Sequence, residues 1–131
     1  MAEPRDFHKE RIVSIDFDGV LSKYDGWKGE DILGDPFPGA KEFVLRLIET
    51  GYTPVVFTTR NAIRVKPWLS EFGFPDIEVT DRKYPSVAYI DDRNIRFDGD
   101  FVRLEDELRS FDVYWRRKEQ KIFAEYFGRD S

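Results

Sequence analysis

Apolar residues in this chain gather in short blocks separated by charged and glycine-rich stretches. Arg11 to Phe17 (RIVSIDF) reads as a strand because Ile12, Val13 and Ile15 concentrate β-branched side chains. From Gly39 to Thr50 the apolar positions Phe43, Val44, Leu47 and Ile48 fall at three- and four-residue spacing. That periodicity predicts a helix stopped by Gly51. Pro54 to Thr58 (PVVFT) predicts a second strand. Asn61 to Phe72 predicts a helix, at least from Pro67, which suits a first-turn position, to the Gly73 stop. Ile77 to Thr80 and Val87 to Ile90 predict two more short strands. Phe101 to Phe127 predicts a largely helical C-terminal segment (101–128 overall), with a break near Ser110 to Asp112. Its aromatic and aliphatic residues Phe111, Trp115, Ile122, Phe123, Tyr126 and Phe127 read as a core-facing set.

Strands alternating with helices imply parallel pairing through right-handed crossovers. The fold class expected is therefore α/β, a parallel sheet between helical layers. In such sheets ligands bind beyond the carboxyl ends of the strands, where the strand order reverses. Residues just after each strand are thus the candidates for chemistry.

Composition narrows that chemistry. The 131 residues suit one domain, 1–131. Apolar residues are 40% of the chain, and 12 Phe, 6 Tyr and 3 Trp supply bulk for a core. A net charge of −5 gives no global attraction to nucleic acid or anionic membranes. With no cysteine there is no thiolate metal site and no thiol catalysis. The single His8, in a polar N-terminal stretch, excludes a multi-histidine metal cage. No apolar run approaches a membrane span, and Met1 to Arg11 lacks an apolar signal core, so a cytoplasmic protein is expected.

The first strand runs into Asp16-Phe17-Asp18-Gly19, and the fourth into Asp91-Asp92. Four carboxylates at the ends of two strands repel one another unless a cation sits among them. Oxygen-only ligands suit a hard ion, magnesium above all. The second strand ends in Thr58-Thr59-Arg60, offering hydroxyls and a cation, and Arg82-Lys83 precede the fourth strand. Carboxylates, a hard metal, a hydroxyl and a fixed cation make a coherent site for phosphoryl transfer. A carboxylate can attack phosphorus, and a second can donate a proton to the leaving oxygen. A solvated strand end would account for Asp16 and Asp18 taken alone, but not for the convergence of all these groups.

The segments IDFDGVL, VVFTTR, the lysine of DRKYPSVAYIDDRN and the acidic pair within it resemble, in order, the four motifs of the haloacid dehalogenase-like (HAD) superfamily of phosphohydrolases. Together they reach from Ile15 to Asn94, and the wording is most similar to small capless bacterial and phage members. The resemblance implies a Rossmann-like three-layer α/β/α core with strand order 3-2-1-4, with room for an extra edge strand. It implies Asp16 as nucleophile and metal ligand, and Asp18 as general acid/base and, through its carbonyl, a further ligand. It also implies Thr58 as the hydroxyl that orients the phosphoryl group, with Thr59 as the alternative, and Lys83 as the cation steadying nucleophile and phosphate. Asp91 and Asp92 match the acidic pair that completes a Mg2+ site, with the direct ligand left open between them. Gly19, Thr59 and Arg60 are candidate substrate contacts.

Only 39 residues separate Asp18 from Thr58, and 24 separate Thr58 from Lys83, so neither gap holds a cap domain. The stretch 22–38 makes at most a flap, rich in glycine, in which Trp27 either closes over the substrate or pins the loop to the body. Arg60, Arg64 and Lys66 form a basic run that either steers a phosphorylated substrate or is a solvated, salt-bridged face. The function expected is hydrolysis of a phosphate monoester, small or macromolecular. A nucleic-acid end is permitted by the basic run without being established by it. Phosphoryl transfer to another acceptor, and a non-catalytic Mg2+/phosphate- or partner-binding module, are the competing readings.

Overall fold

The structure, a computed structural model, describes residues 11–116. His8 and the residues from 117 onward, including Ile122, Phe123, Tyr126 and Phe127, lie outside the described residues. Two compact units divide at the bond between Asp91 and Asp92.

In the first unit four short strands pair in parallel: β1 (Ile12–Ile15), β2 (Thr53–Phe57), β3 (Glu78–Thr80) and β4 (Ala88–Ile90), in the order β3-β2-β1-β4. This is the expected α/β fold and strand order, and no extra edge strand is present among the described residues. All four residues of β1 are buried, as the central position demands of a β-branched segment. Register is set by Val13 opposite Pro54 and Ala88, and by Ile15 opposite Val56 and Ile90. The chain moves from β1 outward to β3 and then returns to the other side of β1, so the order reverses between β1 and β4.

Helix α1 (Ala40–Glu49) follows β1 and helix α2 (Ala62–Glu71) follows β2. Val13 and Ile15 of β1, with Phe17 just beyond it, share a core cluster with Ala40 and Val44 of α1 and Val65, Trp68 and Leu69 of α2. Both helices therefore cover the same face of the sheet. Phe17 and Trp68 meet edge to face, 4.7 Å between ring centroids. Arg11 closes the end of α1, its guanidinium donating to the carbonyls of Thr50 and Gly51 at 3.0 Å each. That satisfies acceptors a helix terminus leaves open.

Pro67 lies inside α2, not in its first turn. The helix begins five residues earlier because the Asn61 side chain accepts from the Ile63 N–H and caps it. A proline there removes one helical hydrogen bond, and its would-be acceptor is the carbonyl of the well-exposed Ile63, which water can reach.

The second unit contains helix α3 (Phe101–Ser110), capped by the Asp100 side chain, which accepts from the N–H groups of Val102 and Arg103. It ends at Phe111 in extended backbone, so the break expected at 110–112 is present, and residues 114–116 are helical again. Trp115 is buried and Phe111 is exposed. Among the described residues no helix is long and apolar enough to cross a membrane.

Candidate active site

The site is built where β1 and β4 end. The Asp16 N–H donates to the Ile90 carbonyl at 2.8 Å, which carries the β1–β4 pairing one residue past the strand. Phe17 then turns fully into the core, and its carbonyl accepts from the N–H groups of Leu21 and Ser22, both at 3.0 Å. This tight turn requires Gly19, whose φ is 87° and whose N–H donates to the Ser22 carbonyl. Gly19, a candidate substrate contact, thus has its N–H committed within the turn.

Because Phe17 is anchored inside, Asp16 and Asp18 on either side of it remain at the half-buried strand end. In the first unit a carboxylate oxygen of Asp16 lies within 4.8 Å of one of Asp91, and Asp92 follows Asp91 directly in the chain. Asp16 Oδ1 also accepts from the Phe17 N–H at 2.9 Å, which fixes its rotamer. In the second unit Asp92 Oδ2 accepts from the Trp115 indole N–H at 2.6 Å. Burial, and then the Asp92 carboxylate, raises the pKa of the Tyr114 hydroxyl above its ordinary value. The donor set at Asp16 and Asp91 is carboxylate oxygen only, which fits a hard divalent ion and no soft one.

Asp18 is held differently. Its Oδ2 accepts from Arg60 Nε at 2.7 Å, in an ion pair whose arginine side chain is 2% exposed. Its Oδ1 is buried and has no hydrogen-bond partner among the described residues. A buried carboxylate oxygen without a partner is costly to leave unmatched.

Arg60 was expected to face a substrate, yet the structure turns it inward. Its Nη1 donates to the carbonyls of Gly29 at 3.1 Å and Glu30 at 2.8 Å, and the Trp27 ring lies 4.6 Å over its guanidinium. The rest of the basic run is also matched by acids, Arg64 to Asp31 at 2.6 Å and Lys66 to Asp76 at 3.1 Å. The run is therefore a salt-bridged face, and the steering reading gains nothing from it. Trp27 stacks on Arg60 while remaining 59% exposed, so it pins the loop through one face only.

Thr58 is buried at the end of β2, its N–H donating to the Thr80 carbonyl and its hydroxyl accepting from the Arg60 N–H at 3.1 Å. Thr59 is exposed. Lys83 stands in the exposed loop between β3 and β4, with its ammonium 5.0 Å from the Tyr89 ring centroid, and no carboxylate among the described residues pairs with it. The first unit thus brings together Asp16 and Asp91, and separately Asp18, Arg60 and Thr58. Among the described residues no hydrogen bond or ion pair joins Lys83 to either set.

The Arg60–Asp18 pair escaped the sequence reading. No signal in the sequence pointed to it; the acid-rich loop GEDILGD offered one only for the Arg64–Asp31 pair. Trp115 as the partner of Asp92 carried no signal beyond its place in an apolar series.

No protein-family model matches the chain, and no curated protein does. A solved structure described as that of a conserved protein coded by a locus of Bacteroides thetaiotaomicron is similar, with a TM-score of 0.55 and 17% identity. The match covers 80% of this chain and 94% of that one. At that identity the likeness is one of fold, and it agrees with the α/β architecture described above.

Proposed function

We propose that this protein is a magnesium-dependent phosphohydrolase acting on phosphate monoesters. The observation that carries the reading is the convergence of the Asp16 and Asp91 carboxylates within 4.8 Å at the topological reversal of a parallel sheet. Unneutralised, these charges oppose one another, and a divalent ion among them relieves that opposition. Asp16, Asp91 and the Asp18 carbonyl would hold the ion, and the resemblance implies Asp92 as the alternative to Asp91. When bound, the ion would offset repulsion between an anionic nucleophile and an anionic phosphate. The resemblance to the capless HAD-like phosphohydrolases supports the same assignment, and a cytoplasmic location belongs to this reading.

In the proposed reaction a carboxylate oxygen of Asp16 attacks phosphorus and the bond to the leaving oxygen breaks, giving an aspartyl-phosphate. Asp18 donates a proton to the leaving oxygen. It then takes one from the water that hydrolyses the intermediate. Its unpartnered Oδ1 is the oxygen available for that proton, since Oδ2 is engaged by Arg60. Thr58 and Lys83 are assigned the phosphoryl oxygens, Lys83 by movement of its exposed loop side chain. The substrate is a phosphorylated small molecule or macromolecule, and a small aryl phosphate serves as a probe.

Asp18→Asn is expected to lower kcat for a small aryl phosphate by roughly 10²–10⁴-fold, the scale for losing a general acid/base. Magnesium should restore activity to chelated protein and calcium should do so poorly, because calcium takes more ligands at longer distances and spoils attack geometry. Full activity after exhaustive chelation would end the metal argument.

A further inference from the structure

Arg60 touches both the proposed acid/base and the loop above the strand ends. Its Nε holds Asp18 Oδ2, its Nη1 holds the carbonyls of Gly29 and Glu30, and Trp27 lies on its face. Its own N–H is bound by Thr58. The base of the loop is closed independently. Lys23 N–H donates to Asp35 and Phe37 N–H to Leu21, both at 2.8 Å, and Trp68 Nε1 donates to the Gly34 carbonyl. What holds the middle of the loop is Arg60, helped by a bond from Asn61 N–H to Glu30 and the exposed Arg64–Asp31 pair. An exposed pair adds little.

We propose that Arg60 is a positioning residue that ties the orientation of Asp18 to closure of the 22–38 loop. A guanidinium that is 2% exposed needs its carboxylate, because a buried charge stripped of its partner is strongly disfavoured. Asp18→Asn keeps an acceptor oxygen but loses the charge, so the Arg60 grip weakens, the arginine relaxes toward water and the loop is carried with it. Conversely, opening the loop removes two acceptors from the cation and frees it to change its grip on Asp18. The coupling is reciprocal, as any linkage between two sites must be. It also divides the labour of the carboxylate: Oδ2 is the anchored oxygen and Oδ1 the working one. The catalytic half of this inference rests on the phosphohydrolase reading, and the loop half does not.

Amide hydrogen exchange on the full chain tests it, with kcat and KM for a small aryl phosphate measured alongside. Asp18→Asn changes no loop residue, yet it should speed exchange of the 24–33 amides by about 5- to 150-fold, the usual range of coupling between sites. Exchange in β1 and α1, which reports that the fold is intact, should stay at the wild-type rate. Arg60→Gln should loosen the loop in the same way and lower kcat about 10²-fold with KM little changed, because a misplaced acid is slow without binding being lost. Arg60→Lys keeps a buried cation but not the fork, so it should fall between wild type and Arg60→Gln in both readouts. Wild-type loop exchange in Asp18→Asn would overturn the coupling even if no phosphatase activity is found. A loosened loop with unchanged kcat in Arg60→Gln, in a protein that does hydrolyse the probe, would overturn the positioning role alone.

Discussion

At the residue scale, the site depends on which groups are committed to the fold and which are left to act. Thr58 and Thr59 are adjacent and chemically identical, and their spacing in the sequence could not separate them. Burial does: Thr58 accepts the Arg60 N–H from inside the strand end, whereas Thr59 faces solvent. Thr58→Ala should therefore cost about 1–3 kcal/mol by leaving a buried N–H unpaired. Thr59→Ala should stay within about 0.5 kcal/mol. Equilibrium denaturation of the two variants checks this, and equal losses would contradict the assignment. The acids of the first and fourth strand ends were legible because strand periodicity and a charge cluster point to them directly. The inward turn of Arg60 was not legible, since nothing in a linear sequence tells a surface arginine from one folded onto an aspartate 42 positions away.

At the element scale, turns and caps decide where each segment stops. Sequence periodicity located every strand and helix of the first unit, because short β-branched blocks and a three-to-four spacing each have one natural solution. Pro67 misled the start of α2, since the Asn61 cap outweighs the loss of a single, solvent-reachable hydrogen bond. The flap is less free than its glycines suggested. A Cβ on Gly34 would lie 2.1 Å from the Lys23 carbonyl oxygen, so that glycine is required by close backbone approach. Gly34→Ala should destabilise the protein by about 1–3 kcal/mol, as overpacking does, and open the loop base. A thermal midpoint equal to wild type would contradict the close approach. In the second unit the Asp98 carboxyl is held below its ordinary value, first by the Asp100 N–H and then by Arg103. A depressed folded pKa contributes stability that is present above the ordinary value of 3.8 and lost as pH falls through the lower folded value. Exchange of the 101–104 amides should accordingly rise, beyond the intrinsic acid dependence, as pH drops below that point. An Asp98→Asn variant should show no such added rise.

At the scale of the whole molecule, the fold matters because it delivers acids from two strands distant in sequence to one edge of the sheet. The reversal between β1 and β4 does this, and it was legible from alternating elements together with the resemblance of four ordered segments to a known family. The division at Asp91 and Asp92 was not, since no glycine, proline or composition shift marks it; it falls inside the acidic pair itself. The central claim is that the gathered carboxylates perform phosphoryl transfer with Asp16 as nucleophile. Release of inorganic phosphate from a panel of phosphorylated metabolites, nucleotides, phosphopeptides and end-phosphorylated oligonucleotides, with and without magnesium, tests it most directly when wild type is set beside Asp16→Asn. The account predicts magnesium-dependent release by the wild type and none above background by Asp16→Asn, whose amide is nearly the same size but a poor nucleophile. Equal release by the two proteins on a confirmed substrate would contradict it.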